Sequence, residues 1–333
     1  MVRDTQDLDF NLSPGSHTLS MEIDYQNNVS ETSESDNGFD TSAYWYNGQI
    51  TAEGEVWWQH RLSKYNMTWH TLNFYPVEIW DRDIGGVDDL LATTFTNDTG
   101  EFYFGPIPNE EEDGTRQDIY LMICAETDAV VVGDSMHLSY PYGIIPKCIS
   151  PDTIFDVWSG HIDWTYPFWI EADTSESAFF YVANIVRQTD SAVTATTGLD
   201  INTTKLMLYD LTGAGSIYID TFDIIFINSD PEESFGPDYW DADVVNHEFG
   251  HRLEHCFDVF DSTLGTIHWF HKSTSPEMAV NEGFAHFWSA FVKNDPVLFN
   301  VDSSWTCSSW VNVENGKYGL KGVCLDTPCD ATI

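Results

Sequence analysis

Short runs of alternating hydrophobic and polar residues fill the first 150 positions of the chain. Val77–Trp80 and Ile119–Cys124 both place apolar side chains at every second position, which is typical of strands with one buried face. Turn-forming sequences separate such runs at Gly85–Gly86, Asn97–Gly100 and Asn109–Gly114. Because short strands at this spacing are typical of two packed sheets, residues 41–150 are predicted to form an all-β sandwich.

The first 40 residues carry a separate signal. Leu12–Asp24 is typical of a turn followed by an alternating strand, and Asn27–Asn37 is a run of polar residues. The segment 10–40 resembles the last hairpin of a CARDB-type β domain, an extracellular adhesion-like module. A lone hairpin is only marginally stable. We therefore expect residues 1–40 to be the tail of such a domain, or a linker, and the chain to be a fragment of a longer precursor.

After residue 150 the hydrophobic period changes and helices appear. The predicted helices are Ser177–Val193, Asp243–Phe257 and Pro276–Val292. The predicted strands are Thr204–Tyr209 and Asp223–Asn228. Ser275 and Pro276 suit the N-cap and the first helical position. We therefore expect a multidomain chain in which an α+β domain at 151–333 follows the β-sandwich. The boundary is predicted near Pro146–Pro151.

Composition narrows the function classes. The chain has 333 residues with 54 acids and 13 bases, a net charge of −41, and 15% of its residues are aromatic. So many aromatic residues exclude a disordered acidic chain, and so few bases exclude a nucleic-acid binder. No apolar run reaches the roughly 18–20 residues of a membrane helix, so no membrane insertion is expected. The acids are spread along the chain and indicate a well-solvated surface; the oligomeric state stays open.

Six cysteines and five Asn-X-Ser/Thr sequons favour a secreted or cell-surface protein with disulfides. We expect Cys124 to pair with Cys148 and the other four cysteines to pair among themselves. The rival interpretation, a cysteine-rich zinc site, is disfavoured because no Cys-X-X-Cys pair occurs. The N-terminus lacks the apolar segment of a signal peptide, so the chain is expected to be a mature protein or a fragment.

The β region carries a family resemblance in three consecutive segments, Val77–Asp83, Leu91–Thr94 and Asn97–Phe104. Their order of strand, turn and strand is similar to that of a transthyretin-like or Cna B-type domain, which implies no catalysis. Nearby acids could supply the oxygen ligands of Ca²⁺; they are Asp81, Asp83, Asp88 and Asp89. Their alternative interpretation is solvated loop carboxylates.

The strongest chemical signal is His247-Glu248-Phe249-Gly250-His251, a His-Glu-X-X-His motif on a predicted helix. Residues four apart share a helix face, so both imidazoles can reach one metal ion. Zn²⁺ of the catalytic kind takes three protein ligands and leaves a position for water. Glu248 would point toward that position and could accept a proton from the water.

The third ligand decides the type of site. The metzincin pattern fails because Phe257 stands where its third His would be and Glu254 where its Gly would be. A glutamate on the next helix is the alternative, and Asn281–Ala285 (Asn-Glu-Gly-Phe-Ala) offers Glu282. With that segment, residues 175–292 resemble the gluzincins, the peptidase clan of thermolysin, fungalysin and the zinc aminopeptidases.

The resemblance implies a zincin-like domain in which His247, His251 and Glu282 bind Zn²⁺ and Glu248 is the general base. It implies a secreted endopeptidase acting on protein or peptide substrates, since the aminopeptidase signature Gly-X-Met-Glu-Asn is absent. The strand Asp223–Asn228 would be the sheet edge beside the cleft and would pair with substrate.

One position departs from the clan. Four residues after the ligand glutamate the clan carries an acid that orients a zinc-bound histidine, and here that position is His286. The clan also stabilises the oxyanion with a downstream Tyr or His, for which Tyr318, His268 and His271 are candidates. His255, one turn after His251, is either a polar position near the helix end or a spare ligand.

The rival hypothesis is an inactive or weakly active zincin-like module of a large extracellular adhesion or binding protein, and His286 motivates it. A zinc hydrolase that cleaves a non-peptide bond is a third interpretation that nothing in the sequence selects.

Overall fold

The computed structural model shows a mostly β protein with several sheets and three α-helices. The residues that it describes are 15–22, 38–45, 49–63, 66–83, 86–109, 117–136, 143–150, 153–154, 157, 160–171, 176–209, 215–228, 238–258, 275–301, 307–314 and 317–320. In this part of the chain no helix is both long and apolar enough to cross a bilayer.

The N-terminal part is all β, as the alternating pattern predicts. A hairpin pairs β1 (Gly15–Glu22) with β2 (Gly38–Trp45), which confirms the strand within Leu12–Asp24. The polar run predicted at Asn27–Asn37 lies outside the described residues. Whether the hairpin belongs to a CARDB-like domain stays a prediction.

Two four-stranded sheets follow. The first consists of β3 (Gln49–Ser63), β4 (Asn66–Thr71), β7 (Glu101–Pro108) and β12 (His161–Ile170). The second consists of β5 (Pro76–Asp81), β6 (Asp89–Phe95), β8 (Ile119–Cys124) and β11 (Cys148–Ile149). Burial alternates along β5 and β8, with Val77, Ile79 and Leu121 inside, so the two-residue period of the sequence is confirmed.

A disulfide joins Cys124 at the end of β8 to Cys148 in β11, where the two residues are partners in the strand pairing. This confirms the predicted pair. Cys256 is a free, exposed thiol, so the prediction that it pairs with another cysteine is wrong for the described part of the chain. Cys307 lies in a strand, but its side chain is not described, and Cys324 and Cys329 lie outside the described residues.

The third sheet carries the second half of the fold. Its strands are β9 (Val130–Met136), β10 (Ile144–Pro146), β13 (Thr204–Tyr209), β14 (Ile217–Ile219) and β15 (Ile224–Asn228), in the order β10-β9-β13-β15-β14. β9, β13 and β15 run parallel, and β14 pairs antiparallel with β15. The prediction that Asp223–Asn228 forms the sheet edge is wrong, because the short strand β14 covers it.

The predicted boundary near Pro146–Pro151 is crossed by two sheets. β9 precedes it and pairs with β13, whereas β12 follows it and pairs with β3. One continuous core includes Ile79 from β5, Phe180 from the first helix and Phe249 from the second. The β region and the helical region therefore share strands and core.

The three helices agree with their predicted ranges to within a few residues. They are α1 (Glu176–Thr197), α2 (Ala242–Cys256) and α3 (Pro276–Lys293), with a short 3₁₀ helix at Asp238–Trp240. Ser275 caps α3 by accepting a hydrogen bond from the Met278 N–H, and Pro276 follows it. A last small sheet holds β16 (Val297–Val301), β17 (Cys307–Asn312) and β18 (Lys317–Leu320).

Candidate metal centre

Helix α2 is fixed by its ends and its apolar face. Asp241 caps its N-terminus by accepting a hydrogen bond from the Asp243 N–H. Val245, Phe249 and Leu253 are buried in the core and recur at intervals of four residues, so this face of the helix points inward. The opposite side of the helix is thereby held in place for His247 and His251.

A close contact between α2 and α3 brings the two motifs together. A Cβ added to Gly250 would lie 2.7 Å from the Cα of Ala285, so only glycine allows the two backbones to approach this closely. Ala285 is fully buried and lies three residues after Glu282, about one helical turn. The contact therefore places the Glu282 carboxylate beside the two histidines of α2.

Three side chains converge at this place. Glu282 Oε2 lies 3.3 Å from His247 Nε2, and Glu282 Oε1 lies 3.5 Å from His251 Nε2. The two Nε2 atoms are 3.2 Å apart. The three predicted ligands are thus brought together with their ligand atoms facing one another.

A bound metal ion requires particular separations between its ligand atoms. Ligand bonds of about 2.0–2.1 Å in a tetrahedron place neighbouring ligand atoms about 3.3–3.4 Å apart. The two imidazole nitrogens are 3.2 Å apart, and each lies 3.3 or 3.5 Å from one of the two Glu282 oxygens, so all three separations lie around that value. Two imidazoles and one carboxylate are also a donor set that suits Zn²⁺. The residues therefore fit a tetrahedral ion.

His286 lies next to this triad. Its ring centroid is 4.3 Å from that of His247, and His247, Glu282 and His286 offer ligand atoms within 4.8 Å of one another. We favour His251 as the third ligand because its Nε2 lies 3.2 Å from His247 Nε2 and 3.5 Å from Glu282 Oε1, close to the edge length of a zinc tetrahedron. His286 therefore also belongs to the group of side chains that could hold a metal ion.

Glu248 lies beside the edge of the third sheet. The backbone N–H of Tyr218, in the edge strand β14, donates a hydrogen bond of 2.8 Å to Glu248 Oε2. The Glu248 side chain is mostly buried, so this bond fixes a carboxylate that solvent reaches only partly. The edge strand thus positions the proposed general base.

Glu254 is a part of the site that the sequence did not reveal. Its Oε2 lies 3.2 Å from His251 Nδ1, the ring nitrogen that faces away from the triad. The residue is 3% exposed. Its signal in the sequence was the three-residue spacing from His251, which places both side chains on one helix face.

The acids around His251 control its protonation. Burial lowers the pKa of His251, but hydrogen bonds to Glu254 and Glu282 and the charge of Glu248 outweigh burial and raise the pKa to about 10. Burial also raises the pKa of Glu254, although its contact with His251 opposes this. Without a metal the site therefore holds a proton on His251, and metal binding must release it.

A buried arginine ties α2 to the third sheet. The Arg252 guanidinium donates to Asp223 Oδ1 at 2.9 Å, to Thr204 Oγ1 at 3.0 Å and to the Asn202 carbonyl at 2.8 Å. Its side chain is 1% exposed. These bonds fix the rotation of α2 about its axis, which sets the direction of the neighbouring His251.

The other candidates are placed as follows. His255 is exposed, with its ring centroid 6.0 Å from that of Tyr218, and it stays outside the triad. Tyr318 lies in β18, while His268 and His271 lie outside the described residues. No oxyanion-stabilising residue is therefore assigned.

Two of the four acids proposed for Ca²⁺ accept hydrogen bonds from other parts of the protein. Asp81 accepts a hydrogen bond from the Asp118 N–H, and Asp88 accepts from the Asp83 N–H and the Tyr120 hydroxyl. Within the described ranges these four acids form no group of three or more side chains with metal-binding geometry. Calcium binding by these acids therefore stays a prediction.

Comparisons with known proteins add no family. The sequence matches no protein-family model, and no curated protein matches it. A solved structure of a 9R-lipoxygenase from Cyanothece PCC8801 aligns over 46% of this chain and 25% of its own, with 13% sequence identity and a TM-score of 0.24. A likeness at that TM-score carries no argument about fold or function.

Proposed function

We propose that this chain is a zinc-dependent endopeptidase with a zincin-like catalytic domain. The observation that carries the proposal is the convergence of His247 Nε2 and His251 Nε2, 3.2 Å apart, with the two Glu282 oxygens, of which Oε2 lies 3.3 Å from His247 and Oε1 lies 3.5 Å from His251. Three protein ligands leave the fourth tetrahedral position to water or substrate, as in catalytic zinc sites. The match between this geometry and the paired sequence motifs supports peptide hydrolysis.

Each residue has a role in the proposed reaction. Bound Zn²⁺ supplies a Lewis acid that polarises the scissile carbonyl and lowers the pKa of a water to about 7. Glu248 takes a proton as the water attacks and passes it to the leaving amine. The Tyr218 N–H holds Glu248 through its 2.8 Å bond, so the carboxylate is oriented before substrate arrives.

The edge strand β14 is the proposed place for the substrate backbone. Among the described residues β14 pairs with β15 alone, and we propose that its other side accepts an extended peptide by strand addition. Because the Tyr218 N–H already bonds to Glu248, a peptide paired here would lie beside the proposed general base.

The disulfide Cys124–Cys148 supports a secreted or cell-surface location, since such bonds persist in oxidising compartments. The acidic composition suits that setting and disfavours polyanionic partners.

The test compares wild type with Glu248→Gln on casein and a peptide library, with zinc content measured in both. We expect one zinc per chain in both proteins and a loss of turnover of about 10²–10⁴-fold in the variant. A chelator should abolish cleavage by wild type, and added zinc should restore it. Equal turnover in wild type and variant would refute the role of Glu248.

A second function is favoured by the position of His286. If His286 joins His247, His251 and Glu282, four protein ligands close the site, which is the arrangement of structural zinc. The chain would then be a binding or adhesion module with a structural metal. Stoichiometric zinc without cleavage by wild type, together with cleavage by His286→Ala, would identify this closed state.

A further inference from the structure

We propose that Glu254 is a positioning residue that orients His251 and strengthens metal binding. The proposal rests on the proposed metal centre and assigns it a carboxylate that the gluzincin pattern does not contain. In that pattern the supporting acid lies on the helix of the ligand glutamate, at the position of His286. Here the support comes from α2 itself.

The direction of the His251 imidazole supports this role of Glu254. His251 presents Nε2 to His247 and Glu282, and it presents Nδ1 to Glu254 at 3.2 Å. A neutral imidazole has one N–H donor and one lone pair. A carboxylate at Nδ1 selects the tautomer with its proton there, which leaves the Nε2 lone pair for the metal.

The burial of the Glu254 carboxylate also supports this role. The Glu254 side chain is 4% exposed, and its Oε1 has no hydrogen-bond partner among the described residues. An acid in such a place costs free energy unless it has a compensating interaction. The contact with His251 is the compensation that the structure shows, and a metal on the other nitrogen strengthens it by making the Nδ1 proton more acidic.

The surroundings of His247 differ from those of His251. The Nδ1 atom of His247 is buried without a hydrogen-bond partner in the described part of the chain, and the neighbouring ring is His286 rather than an acid. Of the two histidine ligands, His251 alone has a described carboxylate behind it. Removal of Glu254 should therefore lower metal affinity more than it would if both histidine ligands had a supporting carboxylate.

The experiment measures zinc affinity of the full chain by competition with a chromophoric chelator. We expect Glu254→Gln to weaken zinc binding by about 10–100-fold. Glu254→Ala should weaken it at least as much, because it removes the acceptor as well as the charge. Glu277→Gln is the matched control: Glu277 is exposed in the first turn of α3, and its variant should bind zinc like wild type.

A purely structural role is separated by two further measurements. The metal-free variants should melt within a few degrees of metal-free wild type, so that the loss appears only in the zinc-bound form. In the zinc-bound protein, the His251 Nδ1 proton should give a slowly exchanging downfield NMR signal that exchanges faster in Glu254→Ala. If Glu254→Ala does not fold, the isosteric Glu254→Gln decides the outcome.

The outcomes separate this proposal from the proposed function. Unchanged zinc affinity in Glu254→Gln, with one zinc bound to wild type, overturns the role of Glu254 and leaves the endopeptidase intact. Absence of stoichiometric zinc in wild type overturns both proposals.

Discussion

Gly250 of α2 faces Ala285 of α3 so closely that a Cβ on the glycine would lie 2.7 Å from the alanine Cα. The two motifs of the metal centre lie on either side of this contact, with His247 and His251 on one helix and Glu282 on the other. The geometry of the site therefore depends on a residue that has no side chain.

We predict that Gly250→Ala is destabilising although alanine is the better helix former. The intrinsic gain is about 1 kcal/mol, but the backbone of α3 must move, and overpacking typically costs about 1–3 kcal/mol. The same movement carries Glu282 away from His247, so zinc affinity should fall too. Denaturant unfolding and zinc titration measure the two effects.

Gly283→Ala is the control for that change. Gly283 lies in α3 next to Glu282, and an added Cβ would meet no atom within 4 Å. This variant should be as stable as wild type or more stable by up to about 1 kcal/mol. Similar unfolding curves for the two glycine variants would contradict the close-contact argument.

We predict that Arg252→Met destabilises the fold by about 3 kcal/mol, because it removes the hydrogen bonds that the buried guanidinium donates to Asp223, Thr204 and Asn202. The measurement is the free energy of unfolding in urea. Asp134→Asn provides the contrast, since the Lys147–Asp134 ion pair is exposed, with Asp134 50% accessible, and should contribute less than about 1 kcal/mol. Equal losses in the two variants would show that Arg252 does not anchor α2.

Removal of the disulfide by the double change Cys124→Ser and Cys148→Ser should cost about 3 kcal/mol. The bridge closes a loop between residues 24 positions apart, and a crosslink of that span restricts the unfolded chain by about this amount. Cys256→Ser, which changes only an exposed free thiol, should leave the unfolding midpoint unchanged. A double variant as stable as the Cys256 variant would be the contrary result.

The stability of the protein should decrease as the pH is lowered from about 6.5 to about 4, because of His60. Burial, with a smaller effect of the His70 charge, lowers the pKa of His60 to about 4. Over this range the unfolded chain binds a proton that the folded chain does not, so acid favours unfolding. The slope approaches about 1.4 kcal/mol per pH unit, for a total of about 3 kcal/mol.

The measurement compares wild type with His60→Phe in metal-free protein from pH 7.5 to 4.5. The phenyl ring can keep the stacking on Tyr181, so the variant should show a flatter pH profile, whatever its absolute stability. His255→Gln, at an exposed position, should keep the wild-type profile. Parallel profiles for wild type and His60→Phe would rule out the effect.

The sequence predicted local structure well because local signals are strong there. Helical periodicity together with Ser275 and Pro276 located α3, and two-residue alternation located β5 and β8. The three proposed ligands could be predicted for the same reason, since each lies in a short motif with fixed helical spacing.

Strand pairing and the surroundings of the ligands were not predictable in this way. β14 has only three residues, too few for alternation to reveal a strand, so β15 was assigned to the sheet edge instead. In the sequence Glu254 stands out only as a mismatch to the metzincin motif, and its role depends on the direction of the His251 ring. The pairing of β9 with β13 depends on long-range packing, which no local pattern specifies.

The parallel pairing of β3 with β12 has a consequence for folding. Thr51 and His161 are register partners, 110 residues apart in the chain. A contact of that span closes late, because the loop entropy must be overcome before the pair contributes. During synthesis one edge of β3 therefore stays open until residues 161–170 emerge, and an open strand edge can pair with another chain. We therefore expect folding to be slow and the chain to be most prone to aggregation before β12 pairs with β3.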